Sequence, residues 1–184
     1  MQVKSLTNEV AVAAGDDHTC ALRSDGYAFC WGDNSYGQLG DTTVTDQHKP
    51  LSAVVGVSNG VALAAGRNHT CGLRAEGQVV FWGENSHGQL GDGTHTDRHT
   101  AVSVGLANSV ALPAGGLHTC AVRADGRVFC WGANDFGQLG DGTSTSLSSP
   151  VEVPLFSASV VMADPSPTGI EAQGAMPFAV ADDE

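Results

Sequence analysis

Three near-copies of one string constrain this chain more than any other feature. Each copy contains His-Thr-Cys, an acidic residue followed by Gly, then Trp-Gly-x-Asn and Gly-Gln-Leu-Gly-Asp, and the copies occupy residues 18–41, 69–92 and 118–141. Their tryptophans are 51 and 49 residues apart. A period of about fifty residues predicts a repeat architecture, in which one unit cannot bury its apolar face alone and stacks on its neighbours.

Each copy is predicted to contain four short β-strands. Apolar runs of four to six residues are bounded by Gly and Asp, which is typical of strands joined by tight turns. The 24 glycines of the chain suit such turns. The first strand is predicted at 49–55, 100–104 and 150–153, the second at 10–14, 61–65, 110–114 and 160–163, the third at 18–23, 69–74 and 118–123, and the fourth at 27–31, 78–82 and 127–131.

The third and fourth strands are predicted to form a hairpin with a defined register. The loop between them has three residues and ends in Gly, which suits a type I turn closed by a left-handed residue. Cys20 then lies opposite Cys30, and Cys120 lies opposite Cys130. Directly opposed residues are close enough for a disulfide, and the alternative is two pairs of buried thiols.

The second copy lacks such a pair. Phe81 stands where a partner for Cys71 would be, so Cys71 is predicted to be a free buried thiol. Oxidised cysteine pairs would favour an extracytoplasmic or secreted location. Residues 1–10 lack the apolar stretch of a secretory signal, and the location otherwise stays open.

Most of the recurring polar residues are interpreted as scaffold. The His-Thr-Cys triplets suggest zinc, but they lie in separate units and would not converge on one tetrahedral site. We therefore expect no metal and no cofactor, and we expect the histidines to bond backbone groups between strands. The Arg before each turn is expected to pair with the turn acid, although the three could instead form a basic row for a partner. These assignments concern His18, His69 and His118; Arg23, Arg74 and Arg123 with Asp25, Glu76 and Asp125; the turn-capping Asp41, Asp92 and Asp141; the plugging Leu39, Leu90 and Leu139; and the packing Trp31, Trp82 and Trp131.

The charge of the chain disfavours several classes of partner. Residues 1–150 hold 14 acids against 8 bases, and residues 151–184 hold six acids and no Lys or Arg, for a net charge of -12. Such a surface repels phosphate backbones, so nucleic-acid binding is not expected. Apolar runs are too short for a membrane span. No nucleophile triad, phosphate loop or carboxylate pair has usable spacing, so an enzyme is not expected.

The repeated strings resemble those of the regulator of chromosome condensation repeat family. The likeness rests on Ala-Ala-Gly-x-x-His-Thr-Cys-Ala-Leu, on Asp-Gly followed by Trp-Gly-x-Asn, and on Gly-Gln-Leu-Gly-Asp-Gly-Thr, and it covers about residues 8–163. It implies an all-β fold of β-propeller-type blades of four antiparallel strands, with three blades plus a partial fourth in an incomplete ring. Members of the family mainly bind macromolecules through loops on their faces.

The resemblance also suggests how the chain is divided. The predicted repeat domain spans residues 1–163, with repeats at about 1–48, 49–99 and 100–148 and a remnant at 149–163, followed by an irregular acidic tail at 164–184. Ring closure is how propellers protect their edge strands. The resemblance implies a ring that usually has seven blades. Three blades cannot close such a ring, so the chain is a fragment, self-associates or forms an open arc.

Loop positions that differ among the copies are the predicted partner-binding residues. Exposed aromatic and Arg side chains make good interface anchors, whereas drift in the loops, or packing of the aromatic on its own blade, would give the same pattern. The predicted function is non-catalytic binding of a protein partner, as yet unknown; the alternatives are a nucleotide-exchange-type regulator of a small GTPase and a secreted or cell-surface structural module. The candidates are Asp16, Asp17, Arg67, Asn68 and Leu117; Tyr36, His87 and Phe136; and Asp46, His48, Asp97, Arg98 and His99.

Overall fold

Antiparallel sheets make up the part of the chain that the computed structural model describes, residues 7–154. The sheets have the orders β1-β2-β3, β4-β5-β6-β7 and β8-β9-β10-β11, and these residues contain no helix. The predicted all-β fold of stacked antiparallel blades is thus confirmed, and the described blades do not close a ring. The strands are β1 Glu9–Ala14, β2 His18–Arg23, β3 Ala28–Gly32, β4 Gly60–Ala65, β5 His69–Arg74, β6 Val79–Gly83, β7 Arg98–Ser103, β8 Ser109–Ala111, β9 His118–Arg123, β10 Val128–Gly132 and β11 Leu147–Glu152.

The central hairpin of each blade has the predicted register. In the first blade His18 pairs with Gly32 and Cys20 with Cys30. The turn glycine Gly26 has a φ of 84°, a left-handed conformation that is costly for any residue with a Cβ. The turn sequence therefore determines which side chains face each other across the hairpin.

Both predicted disulfides are present. Cys20–Cys30 and Cys120–Cys130 each join Cα atoms 4.1 Å apart. Because the backbone N–H of Arg23 donates to Tyr27 O at 2.9 Å, hydrogen-bonded pairs alternate along the hairpin from that point. The cysteines consequently fall at a non-hydrogen-bonded pair, where opposed side chains are nearest.

Cys71 is a free, fully buried thiol, as predicted. It faces Phe81 across the second hairpin. Burial raises the pKa of the Cys71 thiol to about 12, so it stays protonated at neutral pH. Phe81 packs edge-to-face on Trp131 at 5.4 Å between ring centroids, and an aromatic ring takes the place of the disulfide in this blade.

The outer strand of each blade joins the hairpin that precedes it. β7 pairs with β6, and β11 pairs with β10. The assignment of residues 100–104 and 150–153 to the following copy, as its first strand, was wrong. The Gly-Gln-Leu-Gly loop reverses the chain, so the next extended segment returns antiparallel beside the strand it has just left. The predicted domain limits themselves stay predictions.

The outer strand of the first blade is interrupted. Only isolated bridges join Gln47 to Gly32 and Ala53 to Phe29, where a strand was predicted at 49–55. Gln47 and Ala53 are six residues apart. The equivalent pairs are five residues apart in the other blades, namely Arg98 and Ser103 in β7 and Leu147 and Glu152 in β11. The additional residue breaks the ladder, as a bulge does.

The inner strand of the third blade is shorter than predicted. β8 covers only Ser109–Ala111 of the predicted 110–114 stretch, and Ala114 forms an isolated bridge with Thr119. Pro113 supplies a carbonyl to Cys120 N at 3.0 Å but has no N–H to donate, which interrupts the ladder. The predicted second strand of the remnant at 160–163 and the tail at 164–184 lie outside the described residues.

The hydrophobic core lies between the blades. One cluster joins Cys20, Cys30 and Leu39 of the first blade to Val80 and Trp82 of the second. A second cluster repeats this arrangement between the second and third blades. Blade-to-blade stacking therefore buries the apolar faces, as the repeat period predicts. Residues 7–154 include no helix of the length and apolarity needed to cross a membrane.

The disulfide pattern predicts the outcome of thiol labelling. Alkylation of the unreduced, denatured protein should modify one of the five cysteines, and a peptide map should place the label on Cys71. Full reduction before labelling is the control and should give five modified cysteines. Five modified cysteines without reduction would contradict the pairing.

Candidate interaction face

Two kinds of loop meet at one end of the blades. In the first blade, His18 begins β2 and pairs with Gly32, which ends β3. The loop before β2 therefore lies beside the loop after β3, and the other two blades repeat this pairing. We call this end the loop face; it comprises residues 15–17, 33–48, 66–68, 84–99, 115–117 and 133–148.

The structure brings all three sets of predicted partner-binding residues onto the loop face. None of the thirteen is buried. The aromatic positions differ sharply in exposure, since Phe136 is 95% exposed and the equivalent Tyr36 is 39% exposed. Their part in binding a partner stays a prediction, but their shared location gives one continuous surface rather than three separate ones.

A buried asparagine organises the long loop of each blade. The side-chain amide of Asn34 donates to Asp41 Oδ1 at 3.2 Å and to Thr43 O at 3.1 Å, and its carbonyl accepts from Leu39 N at 3.0 Å. Asp41 also accepts from Thr43 N at 3.0 Å, which is the predicted turn cap. The other blades repeat these bonds through Asn85 and Asn134. These asparagines were missed in the sequence, although their place in every Trp-Gly-x-Asn string was the signal.

Several predicted binding residues also hold the loops together. Asp46 accepts a hydrogen bond from Asn34 N at 3.0 Å, and Asp97 accepts one from Asn85 N at 2.7 Å. The guanidinium of Arg98 is 2.6 Å from the carboxylate of Asp92. These contacts rigidify the loops, and a rigid loop loses less entropy when it binds.

The loop face is strongly acidic. It carries ten carboxylates against two arginines. Hydrogen bonds from the backbone N–H and hydroxyl of Thr143 lower the pKa of Asp141, which keeps that carboxylate ionised at neutral pH. Of the two arginines, Arg98 is paired with Asp92 and Arg67 lies 3.3 Å from Asp16. The face therefore presents a field that attracts cationic groups.

The arginines near the turns lie at the opposite end of the blades. Arg23 pairs with Asp25, and Arg123 with Asp125 at 3.2 Å, as predicted. The predicted pair of Arg74 with Glu76 was wrong. Arg74 instead donates to the side chain of Gln78 and to a backbone carbonyl, because those acceptors stand beside its guanidinium in this blade.

A chain of hydrogen bonds crosses each junction between blades. At the first junction His18 Nε2 lies 2.8 Å from Thr70 Oγ1, whose hydroxyl donates to Gln38 O at 3.3 Å. Trp82 Nε1 donates to the same carbonyl at 2.8 Å. The prediction that the histidines bond backbone groups was wrong, because the stacking of blades places a threonine hydroxyl of the next blade against the imidazole.

The second junction repeats the first. His69 Nε2 lies 3.0 Å from Thr119 Oγ1, and both Thr119 and Trp131 donate to Gln89 O at 2.9 Å. Burial lowers the pKa of His18 to about 4 and that of His69 to about 3, so both imidazoles are neutral at pH 7. Within residues 7–154, no three His, Cys, Asp or Glu side chains converge in a way that could hold a metal ion.

Comparison with known proteins identifies the same repeat. A family model described as the regulator of chromosome condensation (RCC1) repeat matches residues 10–38, 61–89 and 109–138. A second model of the same description matches residues 25–73 and 125–164. Together these matches cover most of the chain.

Individual relatives are similar over part of their length. A human protein named as the probable E3 ubiquitin-protein ligase HERC4 is 39% identical over 102 residues, which is 53% of this chain and 10% of that protein. The crystal structure of human WBSCR16 superposes with a TM-score of 0.73 at 26% identity, covering 81% of this chain and 40% of the other. Prp20p of Saccharomyces cerevisiae gives a TM-score of 0.75 at 22% identity, covering 84% and 40%. The chain therefore spans less than half the length of these relatives.

The threonine at a blade junction should stabilise the fold. Replacing Thr70 by Val removes the hydroxyl and leaves His18 Nε2 and one acceptor site of Gln38 O without it. We expect the free energy of unfolding to fall by about 1–3 kcal/mol in urea titrations. Thr19→Val, in protein kept dilute enough to be monomeric, is the matched control, because Thr19 lies in the first sheet and no preceding sheet exists within residues 7–154. Equal losses in the two variants would contradict the role assigned to the junction bonds.

The junction histidines should make stability depend on pH. Their folded-state pKa values, about 4 for His18 and about 3 for His69, lie below the usual 6.5, so the unfolded chain binds more protons as the pH falls. The stabilisation that comes from the neutral junction histidines is fully present above pH 6.5 and is lost progressively as the pH falls towards 4. The urea concentration at the unfolding midpoint should decrease as the pH is lowered from about 7 to about 5, a range above most carboxylate titrations. A constant midpoint across that window would contradict it.

Proposed function

The chain belongs to the regulator of chromosome condensation (RCC1) repeat family, and from that premise we propose that it is a non-catalytic module that binds a protein partner through its loop face. The acidity of that face is the observation that carries the proposal. Ten carboxylates stand there against two arginines. A partner of opposite charge would be attracted and oriented by this field, so we propose a partner with a basic surface.

The geometry of the loop face suits binding rather than chemistry. Its loops are braced by buried asparagines and by capping carboxylates, while Tyr36 and Phe136 project beside them. An aromatic side chain on a rigid support is a typical interface anchor. The acidic field would bring a basic partner to the face, and the aromatic residues would then supply apolar contact area.

A regulator of a small GTPase is the second candidate. Prp20p, which has the same fold, is described by its binding properties to Gsp1p and histones. At 22% identity that likeness carries the fold alone, and any such partner of this chain belongs to the proposal. An assay of fluorescent nucleotide release from a small GTPase separates the two candidates, because a module that only binds would leave the release rate unchanged.

A secreted or cell-surface structural module is the third candidate. The two disulfides fit an oxidising compartment. A structural module of this kind would recover no basic partner at the loop face, so the capture experiment below also tests this candidate. The location of the protein stays a prediction.

Charge reversal on the loop face should weaken partner binding. Asp17 and Asp135 are both exposed on that face. Affinity capture with cross-linking, followed by quantitative mass spectrometry, should recover a basic partner with the wild-type chain. Asp17→Lys and Asp135→Lys should each reduce the recovery at least about tenfold at low salt, and the difference from the wild type should shrink as salt is raised, because salt screens exposed charges.

Glu76→Lys is the matched control for that experiment. It makes the same change of charge at an exposed turn residue at the opposite end of the blades. Its recovery of the partner should equal that of the wild type. Loss of the partner with Glu76→Lys but not with the two loop-face variants would overturn the assignment of the binding surface.

A further inference from the structure

Each junction between blades is built from two different halves. The preceding blade supplies the histidine and the backbone carbonyl of the Gly-Gln-Leu-Gly loop, and we call this half the His side. The following blade supplies the threonine, the tryptophan and the start of its outer strand, and we call this half the Thr side. The two junctions in the described residues use these halves in the same order.

The described arc ends on a His side and begins on a Thr side, and both stand open. Trp82 and Trp131 are fully buried, whereas the equivalent Trp31 is partly exposed. His69 is fully buried, and the equivalent His118 is partly exposed. The open ends thus carry, on opposite sides of one chain, the two groups that join inside each junction.

Backbone groups at the open ends match in the same way. At the two junctions, Thr42 N donates to His99 O at 3.0 Å and Gly93 N donates to Ser148 O at 2.9 Å. The equivalent donor on the open His side is Gly142, where an added Cβ would meet nothing within 4 Å.

The acceptor equivalent to His99 and Ser148 belongs to His48, on the open Thr side. His48 occupies the same position in the first copy, and its side chain is exposed. Within residues 7–154, a backbone donor without a partner at one end of the arc therefore corresponds to a backbone acceptor without a partner at the other end.

Close packing is also missing at the open His side. A Cβ added to Gly37 would meet His99 at 2.3 Å, and one added to Gly88 would meet Ser148 at 2.5 Å, so these loops press on the next blade. At Gly137 the nearest atom would be 3.8 Å away. The neighbouring Phe136 is correspondingly 95% exposed, whereas Tyr36 at the first junction is 39% exposed.

We propose that a second copy of this chain docks its Thr side on this His side, head to tail. His118 would then meet Thr19 of the second copy, and Trp31 of that copy would donate to Gln138 O, as the equivalent groups do at both internal junctions. Two different surfaces meet, so the interface is heterologous and generates a ring if the rotation closes and a filament if it does not.

A second copy carries the features of the Thr side that this interface needs. Residues 155–184 contain no tryptophan and no His-Thr-Cys string, so they cannot reproduce the Thr side. The charges are also compatible. Asp16 of the first blade pairs with Arg67 across the first junction, and the equivalent position on the open His side is the uncharged Gly116. Docking therefore brings no acidic side chain of that loop against Asp16 of the second copy.

Two variants at exposed positions test the proposal without disturbing the core. Phe136→Glu damages only the His side, and His48→Glu damages only the Thr side. By sedimentation velocity, the wild-type chain at about 100 µM should run well above its monomer mass of 18.8 kDa. Each variant alone should sediment as a monomer, because every contact it could make would include its damaged half.

A mixture of the two variants is the decisive measurement. The intact His side of His48→Glu can accept the intact Thr side of Phe136→Glu, and the mixture should form a one-to-one dimer that grows no further. A monomeric wild-type chain, assembly by either variant alone, or a mixture that stays monomeric would each overturn the proposal. The outcome is independent of the loop-face partner, because the purified chain is sedimented alone.

Discussion

The hydrogen-bonded junction between blades is the interaction on which the rest of the structure depends. At both junctions within residues 7–154, one backbone carbonyl of the Gly-Gln-Leu-Gly loop receives a threonine hydroxyl and a tryptophan N–H from the next blade, and an imidazole bonds the same threonine. These groups lie among apolar side chains, where an unpaired donor or acceptor is costly. The bonds therefore specify how adjacent blades are placed, while the burial of Leu39, Trp82 and their neighbours supplies the main driving force.

Within a blade, the hairpin solves a different problem. The turn glycine sets the register, and the register places two cysteines at a non-hydrogen-bonded pair in the first and third blades. The second blade uses Cys71 with Phe81, and the ring of Phe81 packs on Trp131 of the third blade. A covalent link inside the blade is thus exchanged for an aromatic contact across a junction, in the blade that has a neighbour on both sides within residues 7–154.

Local sequence was sufficient for the features whose partners are near in the chain. The hairpin register, both disulfides, the free thiol and the caps by Asp41 and its equivalents were all predictable, because turn geometry connects residues fewer than about twenty positions apart. The side-chain predictions that were wrong concerned acceptors that the repeated strings do not specify. The imidazole of His18 bonds Thr70 of the next blade, and Arg74 bonds acceptors that no pattern near the turn indicates. The interruption of the outer strand near Ala53 depends on one additional residue that periodicity does not register.

The sequence by itself determined that this chain is made of repeated β units with defined hairpins and an acidic surface, since composition, turn residues and period are properties of the chain alone. Only the tertiary structure decided which blade each outer strand joins, which threonine each histidine meets, and that three separate sets of loop residues form one face. It also showed that the two ends of the described arc carry the two different halves of a junction. The contacts between blades join residues about fifty positions apart, and stacking of the blades creates them, whereas the loop that precedes each outer strand places that strand within its own blade.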